Sequence, residues 1–139
     1  MDNNVGAGIY EELEGYFTTV CKQLTKQVKV ITKRHAKACR EKIKRESPID
    51  TTSAGEKVHG VYKNGWRVST DEAIYGIDCT VHQYRRPSLT WILEHGHLNA
   101  DGSRTKPQPH INKNAEEELK LWYEELEQLV SDENGISKW

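Results

Sequence analysis

The residues best equipped for chemistry lie in the central third of the chain, where Cys79, His82, His95, His97 and His110 supply nitrogen and sulfur donors. A zinc ion would need three or four of them at about 2.0 to 2.3 Å. Cys79 and His82 fall in a β-branched, aromatic run, and on a strand residues three apart point to opposite faces, so this pair cannot chelate one ion without a bulge. No Cys-x-x-Cys or His-Glu-x-x-His accompanies them, and the default for such histidines is a hydrogen-bonded or surface position. A second chemistry is hydrolysis. Glu94, His95 and His97 near Arg104 offer an acid, a base and an anion clamp, and with His82 and His110 they outline a small metal-dependent nuclease. Ser47, Ser53 and Ser88 lack a nucleophile elbow, and Gly55, Gly60 and Gly65 form no phosphate loop between strand and helix. Geometry rather than residue type defines a site, and these types occur in any polar turn. The expectation is no enzyme, no cofactor and no metal, with Glu94, His95, Gly96 and His97 forming a structural corner.

Charge is the third constellation. The net charge is -1, yet residues 22–45 carry ten Lys or Arg against the single acid Glu41, and residues 115–139 carry eight acids against Lys120 and Lys138. The basic run can meet phosphates, which makes a nucleic-acid-binding module the main alternative function. Base-stacking aromatics are nearly absent from that face. The favoured reading sets Lys26, Lys29, Lys33, Lys37 and Arg40 against acids such as Glu117, Glu118, Glu124, Glu125 and Glu127 on an adjacent subunit, where complementary charge fixes orientation.

These residues must be positioned by a few elements. From Glu11 to Glu46 there is no proline, and Leu13, Phe17, Val20, Leu24, Val28, Ile31, His35, Ala38 or Cys39, and Ile43 recur at three or four residues, which predicts one long amphipathic helix stopped before Pro48. Residues 47–60 read as a surface loop. Val58, Gly60, Tyr62, Trp66, Val68 and Thr70 follow period two around Asn64-Gly65, predicting a strand or a hairpin, and residues 73–82 predict a further strand. Pro87 opens a short helix through His95 whose buried face is Leu89, Ile92 and Leu93, with Gly96 just past its end. Residues 99–108 predict a polar, flexible loop with an Asp101-Gly102 turn and the cations Arg104 and Lys106, poised for an assembly contact. A last helix starts at an Asn112 or Asn114 cap and buries Ala115, Leu119, Trp122, Leu126 and Leu129 or Val130. One core is expected, from Leu24, Val28, Ile31, Trp66, Val68, Leu89, Ile92, Leu93, Leu119, Trp122 and Leu126.

At 139 residues, with a mean hydropathy of -0.82, the chain is expected to be one α+β domain, residues 1–139, of long terminal helices on a small antiparallel sheet, with flexible ends at about 1–9 and 132–139, although Trp139 could dock. No apolar stretch reaches a membrane span and the N-terminus shows no signal-peptide pattern, which predicts a cytoplasmic product. Cys21, Cys39 and Cys79 are too widely spaced for a disulfide framework and read as reduced thiols.

The run Leu89-Thr90-Trp91-Ile92-Leu93-Glu94-His95-Gly96-His97, a Gly-containing basic loop, and Pro109-His110-Ile111 before an acidic helix together resemble the minor tail component, or neck protein, family of long-tailed bacteriophages. The family pattern is Leu-Thr-x-Leu-Leu-Glu-x-Gly-His, a loop, Pro-His-Ile and a helix. Ser47-Pro48-Ile49-Asp50-Thr51 and Tyr62-Lys63-Asn64-Gly65-Trp66-Arg67-Val68 resemble its Ser-Pro-x-x-Thr-Gly loop and Gly-Trp strand. Thr52 departs from that pattern where it has Gly, with Gly55 three residues on, which reads as a longer loop. The match runs in order along nearly the whole chain, and residues 89–111 are its most specific piece. The resemblance implies a structural virion protein, a head-tail connector or tail-completion component assembled in the bacterial host cytoplasm. Its implied partners are further copies of itself in a ring and neighbouring head-completion or tail proteins. DNA would pass through the ring without sequence-specific binding, and no membrane is involved.

Overall fold

The computed structural model describes residues 4–49 and 60–132. An α+β fold results, in the order helix α1 (Asn4–Glu46), a 3-10 turn (Lys63–Gly65), strands β1 (Trp66–Ala73) and β2 (Gly76–Gln83), helix α2 (Leu89–His95) and helix α3 (Asn112–Ser131). The expected contributions of Val58, of most of the loop at 47–60 and of Trp139 lie outside the described residues.

Helix α1 starts earlier than its apolar stripe suggests, at Asn4 rather than Glu11. It stops where proline requires. The Ser47 hydroxyl turns back to donate to the Ile43 carbonyl at 2.6 Å and accepts the Trp66 indole N–H at 2.8 Å, which ties the end of α1 to the start of the sheet. Strands β1 and β2 form one antiparallel hairpin, with Trp66 opposite Gln83 and Ala73 opposite Gly76. The hairpin therefore turns at Ile74-Tyr75, whereas Asn64-Gly65 lies in the 3-10 turn that delivers Tyr62 and Trp66 to the core. A side chain at Gly65 would collide with the Gln83 amide, which reaches across to donate to the Tyr62 carbonyl at 2.6 Å.

The core is smaller than the apolar periodicity suggests. Among the described residues its fully covered hydrophobic members are Ile43, Tyr62 and Trp66, with Cys39, Val81, Leu89, Leu93 and Ile111 packed partly covered against them. The rings of Tyr62, Trp66 and His110 meet edge to face, with centroids 5.5 to 6.1 Å apart. Leu24, Val28, Ile31, Val68, Ile92, Trp122 and Leu126 are only half-buried. Leu119, expected in the core, is 59% exposed, because α3 turns Ala115, Glu118, Trp122 and Glu125 toward α1. Leu119→Ala is accordingly expected to change stability by less than about 0.5 kcal/mol, while Leu93→Ala costs about 2 kcal/mol, the lower end for a leucine truncation. Urea denaturation of the two variants checks the contrast, and equal losses would put Leu119 back in the core.

Candidate functional site

The segment from α2 to the start of α3 is held by one carboxylate. Glu94 closes α2, is 7% exposed, and points away from solvent into the first turn of α3. There Oε2 accepts the backbone N–H of His110 at 2.9 Å and of Ile111 at 3.0 Å, and Oε1 accepts that of Asn112 at 2.9 Å. The first amides of a helix lack partners within it and carry its positive dipole end, so an anion there satisfies them twice over. Burial alone would raise the Glu94 pKa, but the three amide donors together outweigh it and hold the carboxyl below the ordinary glutamate value. Neither Asn112 nor Asn114 caps the helix, contrary to the local sequence signal. Asn114 is instead buried, donating to the Glu46 carboxylate at 2.6 Å and to the His110 carbonyl at 2.8 Å.

His110 is fully buried. Its Nδ1 lies 2.7 Å from the Gln108 carbonyl, which only accepts, so Nδ1 carries a hydrogen, and Nε2 lies 2.8 Å from the Tyr62 hydroxyl and its proton. Burial, with the Glu94 charge adding to it, pushes the Tyr62 phenol far up, which keeps that proton in place. Both ring nitrogens are thus engaged within the fold. The other candidate ligands are scattered. The His95 ring lies tilted against Trp91 with centroids 3.9 Å apart, His97 and Thr105 lie 3.4 Å apart, and His82 is 3.4 Å from the Ser69 hydroxyl. Among the described residues no group of three or more His, Cys, Asp or Glu side chains stands where it could hold a metal ion. Burial, assisted by Glu118, raises the Cys39 thiol above its ordinary pKa, and all three cysteines are free.

Residues 97–107 form a closed excursion rather than the flexible loop expected from composition. Leu98 and Arg104 bridge, the Asn99 amide donates to the Ser103 carbonyl at 2.7 Å, and Asp101 accepts both the amide and the hydroxyl of Ser103 around the Gly102 turn. The excursion is pinned at its stem, where Thr105 N–H donates to His97 O and Gln108 N–H to Leu93 O, each at 2.8 Å. Gly96 sits under this stem with φ +73°, and a Cβ there would overlap the Thr105 carbonyl oxygen. The Pro107 ring crowds the same position, and Pro109 leads the chain from the stem into His110. Arg104 and Lys106 project from this frame into solvent.

The basic and acidic helices do meet, but within one chain. Lys42 reaches Glu117 at 3.4 Å and Glu118 at 2.6 Å, the two ring nitrogens of His35 face Glu118 and Glu125, and Arg34 also pairs with Glu125. Burial acts to raise the Glu118 pKa, and Lys42 and His35 reverse that and hold it low. Lys29 donates to the Ala73 carbonyl at 2.6 Å, Lys33 pairs with Glu72, and Arg40 pairs with its neighbour Glu41. Of the ten residues set against each other across a subunit boundary, Glu117, Glu118, Glu125, Lys29, Lys33 and Arg40 are therefore engaged inside the chain. Lys26, Lys37, Glu124 and Glu127 remain exposed, with no ion pair among the described residues. Among those residues, too, no helix is long and apolar enough to cross a membrane. No family model, curated protein or solved structure matches the chain.

Proposed function

We propose that the chain is a structural subunit of a phage neck, a head-tail connector or tail-completion component that works by assembly and performs no reaction. The observation that carries the reading is the imbalance between core and surface. Three hydrophobic residues are fully covered in the described chain, while sixteen large hydrophobic side chains are exposed, from Ile9 and Tyr10 on α1 to Tyr123 and Val130 on α3. A chain of this length that covers so little apolar surface alone is a subunit awaiting neighbours. The resemblance to the neck family gains physical sense from the hold of Glu94 on the start of α3. Leu93, Glu94, Gly96, Pro109 and His110, which carry the shared pattern, each have a positional task, so the pattern marks how the corner is built. Arg104 and Lys106, exposed on the returning limb of the excursion, and Lys26, Lys37, Glu124 and Glu127, which form no ion pair among the described residues, are polar surface left for ring neighbours. Two different surfaces of one subunit, meeting on successive copies, are what a closed ring requires.

The test is to place a label on the chain in particles produced from the genome that encodes it. Electron microscopy is expected to find the label at the junction of head and tail, and a deletion of the gene to leave full heads and free tails unjoined. Label found elsewhere, or normal particles without the gene, would refute the reading. Steeply salt-dependent retention on DNA without self-association would favour the nucleic-acid-binding alternative through residues 22–45.

A further inference from the structure

The tertiary hydrogen bonds and ion pairs of α1 in the described chain begin at Lys29 and run to Ser47. N-terminal to that, the helix extends about 37 Å, given 1.5 Å per residue over residues 4–28. This arm is not sustained by its composition. It contains Gly6, Gly8 and Gly15 and the β-branched run Thr18-Thr19-Val20, all weak helix formers, and a helix of such residues persists only if a face is packed. Its apolar residues Tyr10, Leu13, Phe17, Val20 and Leu24 recur at spacings of three and four, the seam of a coiled coil. Tyr10 is 79% exposed and Phe17 61%. The seam ends in an open apolar groove, where Cys21, Leu24 and Thr25 face Tyr75 at the tip of the hairpin.

We propose that this arm pairs antiparallel with the same arm of a second copy. Charge selects that occupant. Residues 4–21 hold Glu11, Glu12 and Glu14 and no cation, whereas residues 22–29 hold Lys22, Lys26 and Lys29 and no acid. An antiparallel pair places the acidic stretch of each arm alongside the basic stretch of the other, and a parallel pair stacks like on like. A two-fold axis between Thr18 and Thr19 sets Leu13 beside the partner's Leu24, Phe17 beside the partner's Val20, and Glu11 level with the partner's Lys26. The groove at Tyr75 then receives the partner's Leu13 and Tyr10. The other exposed apolar stripe, Leu119, Tyr123 and Val130 on α3, lies among Glu116, Glu124 and Glu127 and would repel the acidic stretch. The inference stands on α1 alone, so a chain with no place in a virion would still pair.

The experiment uses the full chain. Sedimentation over a wide concentration range is expected to show a reversible dimer, and Leu13→Glu combined with Phe17→Glu to weaken it about a hundredfold or more, since two apolar anchors are lost. The thermal midpoint of a body that does not use these side chains stays unchanged. Zero-length carbodiimide coupling of an isotopically mixed sample is expected to link Glu11 of one copy to Lys26 of the other. Within one helix the two lie about 22 Å apart and cannot couple. Glu11→Lys with Glu14→Lys should weaken pairing, and adding Lys22→Glu and Lys26→Glu should restore it. A monomer at every concentration, or a dimer indifferent to the Leu13 and Phe17 substitutions and without the Glu11–Lys26 link, overturns the proposal.

Discussion

Replacing Glu94 by alanine is expected to lower stability by about 3 to 5 kcal/mol, enough to consume much of the roughly 5 to 15 kcal/mol a domain has. The substitution removes the acceptor of three amides, that of His110, which is buried, and those of Ile111 and Asn112, which are partly buried. It also unpins the segment that carries His110 into the ring cluster with Tyr62 and Trp66. Glu94→Gln, which keeps one carbonyl acceptor, should be milder. The acid dependence has a definite sign. The folded carboxyl titrates below its ordinary value of 4.5, so its contribution is complete above that pH and is lost as pH falls through the folded value. Glu46, Glu72, Glu118 and Glu125 are shifted the same way by their partners. Thermal melts should therefore show the wild type losing its advantage over Glu94→Gln as pH drops below about 4.5. A gap constant down to low pH would mean that the charge on Glu94 contributes nothing.

Gly96→Val is the second large effect, about 2 to 5 kcal/mol from backbone strain and steric overlap together. The φ of +73° is disfavoured for any residue with a side chain, and the overlap with the Thr105 carbonyl is with backbone, which cannot rotate aside. Relief requires lifting the stem of the excursion and breaking the Thr105–His97 and Gln108–Leu93 hydrogen bonds. Gly96→Ala should be nearly as harmful, because the offending atom is the Cβ itself. Guanidinium unfolding of both variants checks this, and a midpoint like that of the wild type would show that the stem does not lie over Gly96.

What the sequence made legible was local. Pro48 ended α1, the apolar spacing gave α2 and α3, and Gly96 marked the close of α2, because each effect acts within a few residues of its cause. The cap of α3 was hidden for the opposite reason. Its acceptor stands sixteen or more residues upstream of the amides it serves, so Asn112 and Asn114 drew attention as the conventional caps. A signal did exist: Glu94 follows directly on the apolar positions Ile92 and Leu93, where an acid is out of place unless it has donors to meet. The hairpin was misplaced because Asn64-Gly65 has turn chemistry and Ile74-Tyr75 has none, yet neither of the latter takes a positive φ, so this turn makes no demand that its residues cannot meet. Periodicity also put Leu119 inside, and it marked Ile43 only as one of a long stripe and His110 not at all, though these are the most enclosed side chains, since it reports which face is apolar and not how far the neighbouring elements extend over it.

The doubly pinned stem of the excursion has a consequence for how such a chain can diverge. Between Gly96 and Pro107 the backbone leaves the body and returns to it through two hydrogen bonds that do not involve the tip, and among the described residues Asp101, Gly102 and Ser103 bond to one another and to Asn99. Lengthening such a tip adds only about 0.6 kcal/mol for each doubling of the loop. Substitutions and insertions at Asp101-Gly102 are thereby insulated from the folding problem solved at Glu94 and His110. The tip can drift to suit a new neighbour while the corner beneath it is inherited unchanged.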